Sequence, residues 1–303
     1  MPRIPGAEDR FVDTGEVTLH AVTAGEGPLV VLLHGFPEFS WSWRHQLPAL
    51  AAAGFRAVAV DLRGYGRSDR PRGIAAYAEG RLAGDVQRLI GALGVERAAA
   101  VVGHDWGGIT AYRLAASAPQ CLERLVILNA PHPLAMRRGL FRNGQALRSA
   151  YMLVLAVPFF PERALAARNG ALLRRALRAM RATPVPDDEV EAYVNAARGA
   201  EWLRGGINAY RALGRAALAR APGSRVGRID APVLVIWGAR DPFLGAHLAT
   251  PPAALVPNAR VELIAGASHD VMLDAPERVN ALLLEFLGAA AGPRVDGARA
   301  PGP

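Results

Sequence analysis

The sequence predicts an α/β protein: a mostly parallel, doubly wound sheet interrupted by an all-helical insertion. Three observations carry that prediction. Short apolar runs alternate with amphipathic stretches from Val17 to Pro131. Most of these runs are continuously apolar rather than alternating, as expected of strands buried on both faces of a parallel sheet. From Leu134 to Ala221 nothing reads as a strand, and beyond it the strand pattern resumes.

The elements follow in order. Val17–Thr23 reads as the first strand and Leu29–Leu33 as the second. A helical stretch, Ser42–Ala53, leads to the strand Ala57–Val60. Ala75–Leu93 carries apolar residues at helical spacing and precedes the strand Ala99–Val102. Gly108–Ala118 is a helix feeding the strand Leu125–Leu128. Such βα alternation builds a doubly wound sheet. In the insertion, Ala, Leu and Arg dominate at helical spacing. Val233–Trp237 and Val261–Ile264 restore the strands, and Glu277–Leu287 is a closing helix. The expected organisation is a core domain from residues 1–132 and 227–288, a helical cap over 133–226, and a disordered tail over 289–303.

Composition removes several function classes. The chain has 303 residues, 51% hydrophobic and 20% charged, which suits a globular protein with a substantial core. Its longest candidate for a membrane span, Tyr151 to Phe160, is far short of the length required and contains Pro158. Met1 to Arg10 lacks the apolar core of a signal peptide, which predicts a cytoplasmic protein. The one cysteine, Cys121, excludes an internal disulfide and a multi-cysteine zinc site, and no His/Glu spacing suits a metal. All 35 basic residues are arginine. Without lysine there is no P-loop and no Schiff-base chemistry, pyridoxal phosphate included. The net charge of +8 is uneven: Pro133 to Val226 holds 16 arginines against 6 acids, +10, and the remainder is −2. No nucleic-acid-binding motif accompanies that charge, so no nucleic-acid partner is expected.

Gly103-His104-Asp105-Trp106-Gly107-Gly108 follows a predicted strand and opens a predicted helix. It has the form of a nucleophile elbow, Gly-x-Ser-x-Gly, with aspartate in the serine position. A capping aspartate is the simpler alternative at such a place. Chain order in elbow proteins is nucleophile, acid, histidine. Asp241 ends the strand Val233–Trp237 in Gly238-Ala239-Arg240-Asp241, and His269 follows the strand Val261–Ile264. The carboxyl ends of strands are where open α/β sheets place functional groups. Asp270 and Asp274 are rival acids, and Asn129 lacks the charge for that role. His34-Gly35-Phe36-Pro37 follows the strand Leu29–Leu33, so the N–H of Phe36 and that of Trp106 are the candidate oxyanion hole. His34 and His104 read as structural hydrogen-bonders.

These motifs, with Gly64-Tyr65-Gly66-x-Ser68-Asp69 and Trp237-Gly238-x-x-Asp241, resemble the epoxide hydrolase group of the α/β-hydrolase superfamily. Haloalkane and haloacid dehalogenases are related members of this aspartate-nucleophile group. The resemblance runs from about Val17 to Leu287 and implies an α/β-hydrolase fold with a helical cap. It implies Asp105 as nucleophile, His269 as base, Asp241 as its acid, and two cap tyrosines over the nucleophile. Tyr151 and Tyr210 match that pair, with Tyr77, Tyr112 and Tyr193 as rivals. Phe36, Pro37, Trp106 and the two tyrosines would line the substrate site. The implied partners are a small epoxide and water, with no cofactor. Haloalkane dehalogenases commonly carry Asn after His-Gly, and haloacid dehalogenases Arg after the nucleophile. This chain has Phe36 and Trp106, and both departures favour epoxide. A dehalogenase and a non-catalytic binding member of the fold are the remaining alternatives.

Overall fold

The computed structural model describes residues 1–197, 200–219 and 227–288. The tail expected to be disordered, 289–303, and the end of the expected cap, 220–226, lie outside the described residues.

The first half of the chain runs β1 (Glu8–Asp13), β2 (Thr18–Ala24), β3 (Leu29–Leu33), α1 (Gln46–Ala52), β4 (Arg56–Val60), α2 (Glu79–Ala92), β5 (Ala100–His104), α3 (Trp106–Ser117) and β6 (Leu125–Leu128). The cap helices follow: α4 (Pro133–Gly139), α5 (Gln145–Arg148), α6 (Tyr151–Ala156), α7 (Phe160–Ala179), α8 (Asp187–Ala196) and α9 (Ala200–Leu218). The chain then returns through β7 (Val233–Gly238), β8 (Ala259–Ile264), α10 (Val271–Asp274) and α11 (Pro276–Gly288). The eight strands form one sheet in the order β1-β2-β4-β3-β5-β6-β7-β8. β1 and β2 pair antiparallel, β2 joins β4 antiparallel, and every later pairing is parallel. This is an α/β-hydrolase fold, mostly parallel and doubly wound, with a helical cap between β6 and β7.

The apolar runs work because successive side chains of a strand face opposite ways. Val31 and Leu33 of β3, Val101 of β5, Leu125 and Ile127 of β6, and Val233 and Val235 of β7 join one core. That core is closed by α2, α3 and the cap. The residues between them, Val30, Leu32, Val102, Val126, Leu128, Leu234 and Ile236, join the other, closed by α1, α10 and α11. Truncating a fully buried leucine here, Leu33→Ala for instance, costs about 2–5 kcal/mol.

One difference from the sequence reading has a local cause. The helix expected over Ser42–Ala53 is a 3-10 turn, Ser40–Trp43, followed by α1. Pro48 then falls in the first turn of α1, where its missing N–H costs nothing. α7 breaks at Ala167–Gly170, where Arg168, Asn169 and Gly170 are left-handed.

Candidate active site

Asp105 sits between β5 and α3 with φ 47° and ψ −115°, outside the regions a side-chain-bearing residue prefers. The sharp turn is possible because its neighbours have no side chains. A Cβ on Gly103 would lie 2.3 Å from the Gly107 carbonyl oxygen, and one on Gly107 would lie 2.1 Å from that of Leu33. The turn lifts the carboxylate above the carboxyl end of β5, toward the cap.

One oxygen of Asp105, Oδ1, accepts the N–H of Phe36 at 3.0 Å. The other, Oδ2, lies 3.8 Å from His269 Nε2. Trp106 follows directly as the first residue of α3, so its N–H has no intrahelical acceptor. Pro37 is buried after a cis peptide bond to Phe36.

His269 Nδ1 is 2.7 Å from Asp241 Oδ2. Burial works against a charged ring, but Asp241, then Asp105 and Asp270, outweigh it and hold the His269 pKa at about 10. Asp241 is buried too, and burial alone would raise its pKa. The His269 charge and hydrogen bond, an Asn129 amide N–H at 2.7 Å and the N–H groups of Phe243 and Leu244 overcome that and lower it. The rival acids are placed differently. Burial and then the nearby Glu38 charge push the Asp270 pKa up from the usual carboxylate value. Asp274 accepts from Ser268, Ala182, Thr183 and Arg181.

Tyr151 on α6 and Tyr210 on α9 bring their rings within 6.3 Å of each other. Tyr210 stands edge-on to Trp106 at 4.9 Å and to Phe36 at 5.6 Å, while Tyr151 packs on Phe243 at 5.5 Å. Burial first, with the charge of Asp105 among the further causes, raises both phenol pKa values, so both keep their protons. α9 aims Tyr210 inward because Leu203, Ile207 and Tyr210 share one buried face at helical spacing. The three rival tyrosines are engaged elsewhere: Tyr193 with Ser42, Tyr77 with the Pro71 carbonyl, and Tyr112 against His132.

Sequence reasoning missed two supports. Asn129, with φ 40°, donates to Asp241 and accepts the Gly238 N–H at 2.8 Å. Glu38 pairs with His104 Nδ1 at 2.9 Å and accepts the Gly35 N–H at 3.0 Å. Burial opposes its charge, but His104 more than compensates and takes its pKa down to about 2. His104 then reaches the His269 carbonyl with Nε2 at 3.1 Å. The position of Glu38, directly after His34-Gly35-Phe36-Pro37, was the available signal. His34 is structural: one ring nitrogen meets the Gly35 carbonyl and the other accepts the Leu62 N–H.

A doubly wound sheet whose elbow and later strand ends converge on one polar site under a cap defines a hydrolytic α/β enzyme. Comparison with known proteins agrees. Residues 28–276 match the alpha/beta hydrolase fold family. The chain is 37% identical over 286 residues to the AB hydrolase superfamily protein YfhM of Bacillus subtilis, covering 93% of this chain and 98% of that one. It is 33% identical over 288 residues to Epoxide hydrolase 4 of Mus musculus, covering 92% of this chain and 78% of the relative. An epoxide hydrolase of Bacillus megaterium, solved with its diol product, superposes with a TM-score of 0.82 at 29% identity. That match covers 92% of this chain and all of the other. The chain belongs to the α/β-hydrolase family. Among the described residues no single helix is long and apolar enough to cross a membrane.

Proposed function

We propose that the protein is an epoxide hydrolase, converting an epoxide and water to a vicinal diol through a covalent ester on Asp105. The observation that carries this reading is a carboxylate at the elbow, 3.8 Å from a histidine paired with Asp241 and beneath the two cap phenols. A carboxylate attacking a carbonyl would give an anhydride. Attacking a saturated carbon it gives an ester that water can later cleave.

In the first half-reaction Asp105 forms a bond to an epoxide carbon and the ring C–O bond breaks. The alkoxide takes a proton from Tyr151 or Tyr210, which hold the ring oxygen beforehand. His269, charged at rest, restores that proton to the phenol. Esterification also removes the Asp105 charge that helped to hold the proton on His269, so the ring is left neutral and able to act as a base. In the second half-reaction His269 takes a proton from water, and the hydroxide adds to the Asp105 carbonyl carbon. The N–H groups of Phe36 and Trp106 hold the oxyanion. Collapse breaks the ester C–O bond, the leaving oxygen takes the remaining hydroxyl proton from the Asp105 carboxyl to give the diol, and His269 is again charged against Asp241. The known relatives support this reading, as several are named epoxide hydrolases.

A single turnover in heavy-oxygen water tests it. The first diol is expected to be unlabelled, with the label entering the peptide that carries Asp105. Asp105→Asn is expected to abolish turnover without unfolding the protein. A labelled diol in the first turnover overturns the covalent route.

A further inference from the structure

The cap presents a surface that the proposed reaction does not use. From Pro133 to Pro161 the sequence has four arginines and no acid. Within that stretch large apolar side chains stand in solvent: Phe141 at 87% exposure, Leu147 at 82%, Leu153 at 75% and Phe159 at 71%, with Val157 and Phe160 also exposed. Single exposed apolar residues are ordinary on a protein surface, but a concentration of this size marks an interaction site. Part of it is continuous by construction. Leu153 and Val154 are adjacent exposed residues of α6, and Val157 and Phe159 carry the apolar run through the turn to Phe160 at the start of α7. The inner side of the same helix carries Tyr151.

The arginines of the stretch decide what this surface fits. Elsewhere in the cap, Arg181 and Arg211 are bound to carboxylates, to Glu189 and Asp274 and to Glu162. Arg137, Arg138 and Arg142 are exposed and have no carboxylate partner among the described residues. Exposed aromatic and aliphatic side chains interspersed along the chain with uncompensated arginines match the boundary between acyl chains and anionic headgroups. A second copy of the chain fits poorly, because a symmetric contact would bring two such clusters together with no acid on either side.

We propose that this face of the cap docks on anionic phospholipid surfaces, with the apolar side chains of α6 and the following turn entering the interface. The inference stands apart from the epoxide reading, since it concerns the outer side of the cap. Docking would place the cap helix that bears Tyr151 against a reservoir of lipophilic small molecules.

The test is cosedimentation of the full chain with vesicles of phosphatidylglycerol and phosphatidylcholine, against vesicles of phosphatidylcholine alone. The expected result is at least tenfold tighter partition to the anionic vesicles, weakening as salt is raised. Leu153→Ser with Phe159→Ser and Phe160→Ser is expected to reduce it at least tenfold with an unchanged unfolding midpoint. Arg137→Gln, Arg138→Gln and Arg142→Gln together should reduce it roughly a hundredfold, about fivefold for each charge. Arg260→Gln with Arg278→Gln, on the core, should leave it unchanged. Three results overturn the proposal: no preference for anionic vesicles, partition that survives the apolar substitutions, or equal loss on removing the core arginines. A concentration-dependent dimer abolished by the apolar substitutions, without vesicle binding, would assign the face to a second copy.

Discussion

His269 gains its charge from the fold, and the gain can be read in stability. Its pKa is raised from 6.5 to about 10, so the folded state binds its proton more tightly than the unfolded chain. The resulting stabilisation is fully present below about pH 6.5 and is lost as the pH rises through about 10. It amounts to a few kcal/mol, at ~1.4 kcal/mol per unit. Urea unfolding of the wild type and His269→Gln should therefore differ most at or just below about pH 6.5 and converge toward pH 10. A difference independent of pH would mean that folding does not raise the His269 pKa. The two phenols make a second prediction. Donors that share one oxygen are partly redundant, so Tyr151→Phe and Tyr210→Phe should each slow ester formation about 10- to 100-fold. The double change should cost well beyond either, as read by tryptophan fluorescence beside Trp106. Ester formation at the wild-type rate in the double variant removes both from the reaction. Asp105, Asp241 and His269 were legible in the sequence because each follows an apolar strand and carries reactive chemistry. Asn129 and Glu38 were not, since one is neutral and the other acts through His104. Their contributions exist only once tertiary structure brings distant strand ends together.

At Gly205, helix α9 meets the core without a side chain between them. A Cβ on Gly205 would lie 2.3 Å from the Gly64 carbonyl oxygen, and Gly64 itself has φ 86°. Gly205→Ala must push the helix away from the core, and Tyr210 lies little more than a turn further along. The expected outcome is at least a tenfold loss in the rate of ester formation, with about 1–3 kcal/mol lost in stability. Gly214 on the same helix has open space around it. Gly214→Ala should instead stabilise by about 0.5–1 kcal/mol with turnover unchanged. Equal effects of the two changes would show that the contact does not matter. Sequence pattern located β3 and β6 to the residue, because both are wholly buried and apolar. It missed β1, whose sequence Glu-Asp-Arg-Phe-Val-Asp is that of a solvent-exposed edge. Such a strand is held by its pairing with β2, which a local pattern does not contain.

Cap and core are tied behind the site as well as around it. The Asp274 carboxylate takes the Ser268 N–H of the His269 loop at 2.8 Å and, from the cap side, the Ala182 N–H at 2.8 Å and Arg181 Nε at 2.9 Å. Asp274→Ala should cost about 3 kcal/mol, since it strips a half-buried arginine of one partner and leaves several donors unpaired. Hydrogen exchange should then rise in residues 180–184 and 266–270 together. A rise on one side alone would show that the carboxylate serves only that side. The sequence showed the sheet, the helical insertion and its place in the chain, because a long stretch without strand pattern has few other readings. It did not show how the insertion grips the core, which depends on contacts between residues some 90 positions apart. The cap leaves after β6 and returns to β7, which lies beside β6 in the sheet with Leu125 opposite Val233. Two genetic crossovers, one near His132 and one near Ile229, would therefore exchange the whole cap while every strand kept its neighbour. Asp105, Asp241 and His269 descend with the sheet, and Tyr151 and Tyr210 with the cap. Lineages built on this plan can inherit the elbow carboxylate and its histidine from one parent and the phenols that cover them from another.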